Sequence, residues 1–508
     1  MDTNNYKRIA KNAGLLYFRM LLTMAVTLYT SRVVLNTLGV DDFGIYHLVG
    51  GFITMLGFLH GAMSSATQRF ISFELGKTDN NNLNNIFSMS INIHLLIAAG
   101  IFLLGETVGI WFVTTHLTIP TARMEAACWV FHLSLLAFLV SVISVPYNAI
   151  IIAHERMSVF AWVSIVDVSL KLLIVFMLSW FGMDKLMLYA ALMLAVISLV
   201  TIVYKLYCKS RFPESRFRLY WNKPLFNTML SYTGWNMWGN AAAVMGSQGV
   251  NVMLNIFFGP TINAARTIAF QVSGALNSFV QNVQIAVNPQ IIKSYASNDV
   301  AYMHKLVCYG AKYNFFLLFF LSFPVLLKTE QILVLWLGNV PSHTIIFVQL
   351  VIINILIDTI SYPLITAAQA TGKIKTYQTV VGGILLLNLP LSYLLLKNTS
   401  DPSGVLLVSI AVSILALFAR LKILQSLIGL PLKKYLLLVI GRSGLVAVSS
   451  VMIIFLLEGT SSETITATIV VIVISSVWTI FCITIFGLDK QERAFLSDKI
   501  IQLVNQAH

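Results

Sequence analysis

The chain has 508 residues, 57% of them hydrophobic and 10% charged, with a mean hydropathy of +0.82. That apolar excess is too large for a soluble core of this size, so lipid is its solvent, and a soluble enzyme, a disordered chain and a disulfide scaffold are excluded. Lys and Arg number 33 against 20 Asp and Glu, a net charge of +13, which in so apolar a background reads first as the positive-inside rule and asks for no nucleic acid.

A polar stretch, 1–11, leads without a small-residue cleavage site into the first apolar run and reads as the approach to a retained first span. Runs long enough to cross a bilayer as helices then follow at 13–37, 43–64, 84–106, 124–149, 158–181, 186–204, 225–257, 262–287, 310–334, 343–368, 376–396, 403–425, 435–457 and 464–487. They are continuously apolar and lack the alternation of a β-barrel. The fold class expected is therefore an all-α polytopic membrane protein of about 14 helices, with 12 full spans if two segments are re-entrant.

With the N-terminus in the cytoplasm, 24 of the 33 cationic residues fall on cytoplasmic segments, Lys312 and Arg420 among them. Three (Arg123, Lys185 and Lys397) fall on outer loops. That asymmetry places both termini in the cytoplasm. Every loop is short, so function must reside between helices. The basic loop that includes Lys205, Arg211, Arg216, Arg218 and Lys223 is explained by membrane-surface anchoring and topology.

The chain repeats itself. Pro146, Ala153, Arg156 and Phe160 recur as Pro363, Ala370, Lys373 and Tyr377 at an offset of 217, and weaker matches pair Leu35-Asn36 with Leu254-Asn255 and Gln68 with Gln290. The organisation expected is an N-terminal lobe (1–204), a basic connecting loop (205–224), a C-terminal lobe (225–425) and a segment (426–508) with the last two helices and a cytoplasmic tail. Parallel repeats of this kind build two-lobed transporters with a site between the lobes.

An ionisable group inside a span costs at least a few kcal/mol and is a functional candidate by default. Arg19 and Arg32 lie in the first span, Asp167 and Lys171 in the fifth, Arg266 in the eighth, Asp358 in the tenth and Arg442 in the thirteenth. Snorkelling to an interface is the alternative for the three arginines Arg19, Arg32 and Arg266, and a headgroup contact is the better reading of Arg442. Asp167 and Lys171, four apart, share a helix face and read best as a neutralised pair. Asp358 is either a proton or ion site or a partner for a neighbouring helix. The seventh span carries Asn236, Asn240, Gln248 and Asn251, and the eighth Gln271, Asn277, Gln281, Asn282 and Gln284. Amides at that density suit a wet cavity that binds hydroxyls, or else interhelical hydrogen bonding. Beside cationic side chains they favour an anionic, hydroxylated ligand, since the planar guanidinium bonds two phosphate oxygens at once. The four cysteines and the scattered histidines offer no metal spacing, no cofactor is called for, and no P-loop, HExxH or GxSxG is present.

Ser31-Arg32-Val-Val-Leu-Asn-Thr-Leu38-Gly39-Val-Asp41-Asp42-Phe-Gly44-Ile-Tyr46 resembles the signature after the first helix of bacterial polysaccharide flippases. Gly259-Pro260, Pro289-Gln-Ile-Ile-Lys-Ser294, Trp336-Leu-Gly338 and Ala370-Thr-Gly372-Lys373 continue it, so that the resemblance runs over about 8–425. The chain is similar to the O-antigen and teichuronic-type exporters of the multidrug/oligosaccharidyl-lipid/polysaccharide exporter superfamily. The resemblance implies translocation of undecaprenyl-pyrophosphate-linked sugars across the cytoplasmic membrane for surface polysaccharide assembly, by alternating access of two six-helix lobes, in a protein that is not an enzyme. Arg19, Arg32 and Arg266 would meet the pyrophosphate in a cationic cavity with Asn236, Asn240, Gln248, Gln271 and Gln281 as further substrate-binding candidates. Asp358, Asp167 and Lys171 are the ion-coupling candidates, and the last helix pair would form a lipid-side groove. Partners expected are the lipid-linked glycan, membrane lipids and polymerases or glycosyltransferases of the same assembly. The alternatives are a multidrug cation antiporter of the same superfamily, a membrane enzyme of polysaccharide assembly, and a lipid scramblase or other membrane component without vectorial transport.

Overall fold

The computed structural model describes residues 3–38, 42, 45–46, 49–50, 53, 56–77, 82–116, 119–178, 184–258, 260–337, 340–399, 401–453 and 465–494. Part of the second expected span (43–44, 47–48, 51–52 and 54–55), the signature residues Gly39, Val40, Asp41, Phe43 and Gly44, then Gly259 and Gly338, and the side chain of Arg32, lie outside the described residues.

Among the described residues the architecture is all helix: α1 (Thr3–Leu38), α2 (Gly57–Leu75), α3 (Leu83–Leu104), α4 (Met124–Ala153), α5 (Met157–Met177), α6 (Lys185–Arg211), α7 (Lys223–Phe258), α8 (Pro260–Ala296), α9 (Val300–Leu327), α10 (Thr329–Leu337), α11 (Thr344–Thr371), α12 (Lys375–Leu386), α13 (Asn388–Asn398), α14 (Gly404–Ile428), α15 (Arg442–Val451) and α16 (Ile465–Cys482). Eleven described helices are long and apolar enough to cross a membrane, and α1 adds a shorter apolar stretch, Gly14–Thr27. The chain is thus a multi-pass membrane protein of about 14 helices. Several helices outrun the expected spans. The 37 residues of α8, against an expected 262–287, extend to about 55 Å at 1.5 Å per residue, well beyond a hydrocarbon core of about 30 Å. Stretches that hydropathy reads as loop are therefore polar helix ends.

The chain forms two compact units, Met1–Ala241 with Ile285–Asp299, and Ala242–Gln284 with Val300–His508. In the first, α4 packs along α6, α1 along α5, and α2 and α3 against α4. Val130, Phe131 and Val142 of α4 are fully buried in its core with Met63 of α2. In the second, α11 packs against α9 and α14, and α16 against α9. Lipid tails are as apolar as these side chains, so close packing and polar bonds hold the helices together.

One polar anchor of the first unit involves Asp42 of the quoted signature. Arg123, just ahead of α4, donates from Nε and Nη2 to the two carboxylate oxygens of Asp42 (2.8 and 2.6 Å) and from Nη1 to Asp184. Asp184 also caps α6, accepting from the amides of Leu186 (3.0 Å) and Met187 (3.1 Å). Partial burial works against the ionised Asp184, but the bonds from Arg123 and the α6 amides outweigh it and hold its carboxyl below the usual range. A carboxyl lowered on folding stabilises fully above its unfolded value of about 3.9 and loses that contribution as pH falls through the lowered value. Arg123→Gln is therefore less heat-stable than the wild type at pH 7, and the difference narrows progressively as pH falls below about 4. A melting difference that stays the same from pH 7 down to the lowest pH at which the protein still folds excludes this linkage.

The repeat has a structural counterpart. Pro146 lies inside α4 and Pro363 inside α11, each in the last third of its helix. Past the two helix ends, the residues at the same offset of 217, Glu155 and Gly372, are both left-handed, with φ of 59° and 75°. Glycine takes that conformation freely; another residue pays about 1–2 kcal/mol. Glu155 is buried, and its carboxylate receives Gln290 Nε2 (2.6 Å) and Lys293 Nζ (2.7 Å) from the end of α8. Gly76 lets the α2 terminus approach the end of α8, where a Cβ would stand 2.6 Å from the Lys293 carbonyl oxygen. Glu155→Gln keeps a partner for Gln290 but strands the Lys293 ammonium, at a cost of about 3 kcal/mol. A double-mutant cycle with Lys293→Gln, read by unfolding in detergent, measures it; a coupling under about 0.5 kcal/mol marks a screened surface pair instead.

Candidate functional site

The second unit holds a cavity of about 500 Å³ lined by α7, α8, α11, α12, α13 and α14, within the range of small-molecule sites. Each long helix contributes one face. From α8 come Arg266, Phe270, Ser273, Gly274 and Asn277; from α11, Asn354, Asp358, Ser361, Tyr362 and Ile365; from α14, Leu406, Ser409, Ser413 and Arg420. These are the three- and four-residue steps of a single helical stripe. Gly246 of α7 also lines the cavity, where a Cβ would lie 3.2 Å from the Leu385 carbonyl oxygen, so glycine permits the close approach of α7 to α12.

Arg266 is 7% exposed. Its Nη2 donates to the carbonyl oxygen (3.0 Å) and hydroxyl (3.4 Å) of Ser247, and its guanidinium lies 4.2 Å from the Phe270 ring centroid. Its Nε is buried with no hydrogen-bond partner among the described residues. A guanidinium beside a low-dielectric pocket favours an oxyanion, because its planar fork can bond two oxygens at once. Arg420, 6% exposed, donates from Nε to the Tyr377 hydroxyl (3.2 Å) and from Nη1 to Ser361 Oγ (3.1 Å). Asp358 accepts from Asn354 Nδ2 (3.1 Å) and lies within electrostatic reach of Arg420. Tyr362 donates to Asn277 Oδ1 (3.0 Å). The lining thus carries two guanidinium groups, one carboxylate, and amides and hydroxyls between them.

Of the candidate residues, Arg266 and Asp358 come together in this cavity, and Gln281 is not among the residues that line it. Gln248 and Gln271 are exposed and do not line it. Arg19, Asn236, Asn240, Asp167 and Lys171 belong to the first unit. There Arg19 is half-buried, 4.8 Å from the Phe160 ring centroid. Asn236 is buried and bonded to Tyr232, and Asn240 lies beside Gly61 of α2. Asp167 and Lys171 form the intrahelical ion pair their spacing predicts, at 2.7 Å.

One reading needs correction. Arg420, counted with a cytoplasmic loop, is a buried residue inside α14; its spacing from Leu406, Ser409 and Ser413 is the signal that it shares their face. Arg442 donates from Nη1 to the Gly487 carbonyl oxygen (3.1 Å) and lies 3.8 Å from Glu492.

No family model and no curated protein matches the chain. Solved structures do. An outward-facing multidrug resistance MATE family transporter of the MOP superfamily superposes with a TM-score of 0.73 at 13% identity, over 84% of this chain and 96% of that one. A MOP superfamily transporter from Pyrococcus furiosus, described by a reverse polarity of its binding pocket that suggests a different function, superposes at 0.70 and 13% identity, over 83% and 96%. The MATE transporter ClbM in complex with Rb+ superposes at 0.66 and 14% identity, over 83% and 95%. The chain is therefore similar in fold, over most of its length, to the MATE transporters of the MOP superfamily.

Proposed function

We propose that the protein translocates undecaprenyl-pyrophosphate-linked oligosaccharide across the bacterial cytoplasmic membrane by alternating access, supplying surface polysaccharide assembly. The observation that carries this reading is the pair of guanidinium groups, Arg266 and Arg420, on the cavity wall, in company with a polar lining of amides and hydroxyls. Two guanidinium groups against one carboxylate favour an anion, and the amides suit the hydroxyls of a sugar. A diphosphate cannot enter hydrocarbon unaided because burying unpaired charge is prohibitive. A cationic cavity offsets that penalty while the polyprenyl tail stays in lipid. The Pyrococcus transporter's reversed pocket polarity supports the view that this fold hosts pockets of either sign.

In this reading the lobes are 1–204 and 225–425, both termini are cytoplasmic, and Asp358 is the ion-coupling group. The multidrug cation antiporter is the competing reading, favoured by the carboxylate of Asp358 in the cavity. Against it, Asp358 is already bonded by Asn354 and faces the charge of Arg420. Reconstitution into vesicles separates the two. The protein is expected to move a fluorescent polyprenyl-diphosphate oligosaccharide between leaflets and to leave ethidium where it is. Ethidium efflux without glycolipid movement reverses the assignment.

A further inference from the structure

The segment between α6 and α7 is laid along α3 by a ladder of side chains at four-residue spacing. Asn84 Nδ2 donates to the carbonyl oxygens of Glu214 (2.8 Å) and Arg216 (2.8 Å), Ser88 Oγ accepts from the Arg218 amide (3.2 Å), and Asn92 Nδ2 donates to the Tyr220 carbonyl oxygen (2.8 Å). His154 adds a bond to Glu214 (2.7 Å) and stacks on Phe212 at 4.3 Å. The steps from Asn84 to Asn92 carry the segment about 12 Å along the helix axis, a distance greater than the headgroup layer of about 5–8 Å on each side of a bilayer. The main chain is held down and the side chains are turned out. Phe217 is 47% exposed, Leu219 93% and Trp221 60%. Leu219, Tyr220 and Trp221 form, with Asn92, Leu95 and Leu96, a groove of about 320 Å³.

The charge around this groove is uncompensated. Arg216, Arg218 and Lys223 are exposed, and no carboxylate pairs with them among the described residues. The acid of the segment, Glu214, is taken by His154. Arginines that precede an aromatic and leucine groove, on a backbone that cannot swing away, match a phosphate with acyl chains attached. We propose that this strap is a binding site for an anionic phospholipid, with the headgroup phosphate at Arg216 and Arg218 and the start of an acyl chain in the groove beside Leu219 and Trp221. A zwitterionic lipid fits the groove equally but returns its own cation to the arginines, so the preference is for net negative charge.

The test uses the full-length protein in detergent, with retention of phosphatidylglycerol and phosphatidylcholine compared by native mass spectrometry. The wild type is expected to retain phosphatidylglycerol in preference. Arg216→Gln with Arg218→Gln is expected to lower that retention about thirty-fold, two cations at roughly 1 kcal/mol each, and to leave phosphatidylcholine unchanged. Lys205→Gln with Lys209→Gln, the same charge change on the α6 end, is expected to have little effect. Equal retention of the two lipids by the wild type overturns the proposal, and so does an equal loss in the two double variants, which marks a diffuse field. Arg216→Lys with Arg218→Lys guards against a folding artefact: it keeps the charge, and is expected to keep the preference.

Discussion

On the proposed reading, replacing Arg266 by alanine is expected to lower translocation of the lipid-linked diphosphate about a hundredfold, while the protein inserts and purifies as before. Truncating one partner of a buried, charge-assisted contact costs about 2–5 kcal/mol, and about 3 kcal/mol is two decades. Little of this comes from the resting fold. In that fold the guanidinium touches Ser247, whose carbonyl and hydroxyl can take water in an open cavity, and the Phe270 ring. Arg266→Lys keeps the charge and loses the fork, so it recovers about a decade. Arg420→Ala behaves differently. It strips partners from Tyr377 and Ser361 and removes the cation facing Asp358, so stability and transport fall together. The measurement is leaflet exchange of a fluorescent polyprenyl diphosphate in vesicles, normalised to reconstituted protein. Full activity in Arg266→Ala would remove the cavity from the account of transport.

The second large effect is at the end of the described chain. Lys312 of α9 has a side chain 1% exposed, and its Nζ meets both Glu492 oxygens at 2.6 and 2.7 Å. Tyr313 donates to the same carboxylate, and Glu492 is itself held by the Asp489 amide. Glu492→Ala leaves a buried ammonium without a counter-charge, a loss of about 3–5 kcal/mol. The expected readouts are a lowered unfolding midpoint and faster proteolysis after Gly487. Lys312→Met in the same chain removes the stranded charge and is expected to restore most of the loss, since apolar replacement of a buried pair is often neutral or better. If Glu492→Ala melts like the wild type, the pair contributes nothing.

The membrane class and the number of helices were legible because apolar runs of span length have few other homes. The Asp167–Lys171 pair was legible because one helix carries both partners. Arg266 was legible as a cation in a polar span. Arg420 was hidden by its neighbour Lys422, since two cations near the end of an apolar run read as a loop signal. Only the stripe Leu406, Ser409, Ser413, Arg420, once α14 is known to continue to Ile428, shows the residue turned inward. The count of amides in the seventh and eighth spans overstated the lining, because the exposed Gln248 and Gln271 share the spans but not the face. Lys312 and Glu492 are 180 positions apart, and no local pattern joins them. The carboxylates gathered by Arg123 lie 81 and 61 positions from it, and no local pattern joins them either.

The left-handed corner after α4 has a bearing on how relatives of this chain diverge. Its counterpart after α11 is Gly372, which adopts that backbone without penalty, whereas Glu155 holds it against steric cost because its carboxylate is bridged to Lys293. Drift at this codon has two stable resting places: an acid kept together with a basic partner 138 positions later, or a glycine once that partner is gone. Descendants should sort cleanly into those two pairings, with mixed combinations depleted.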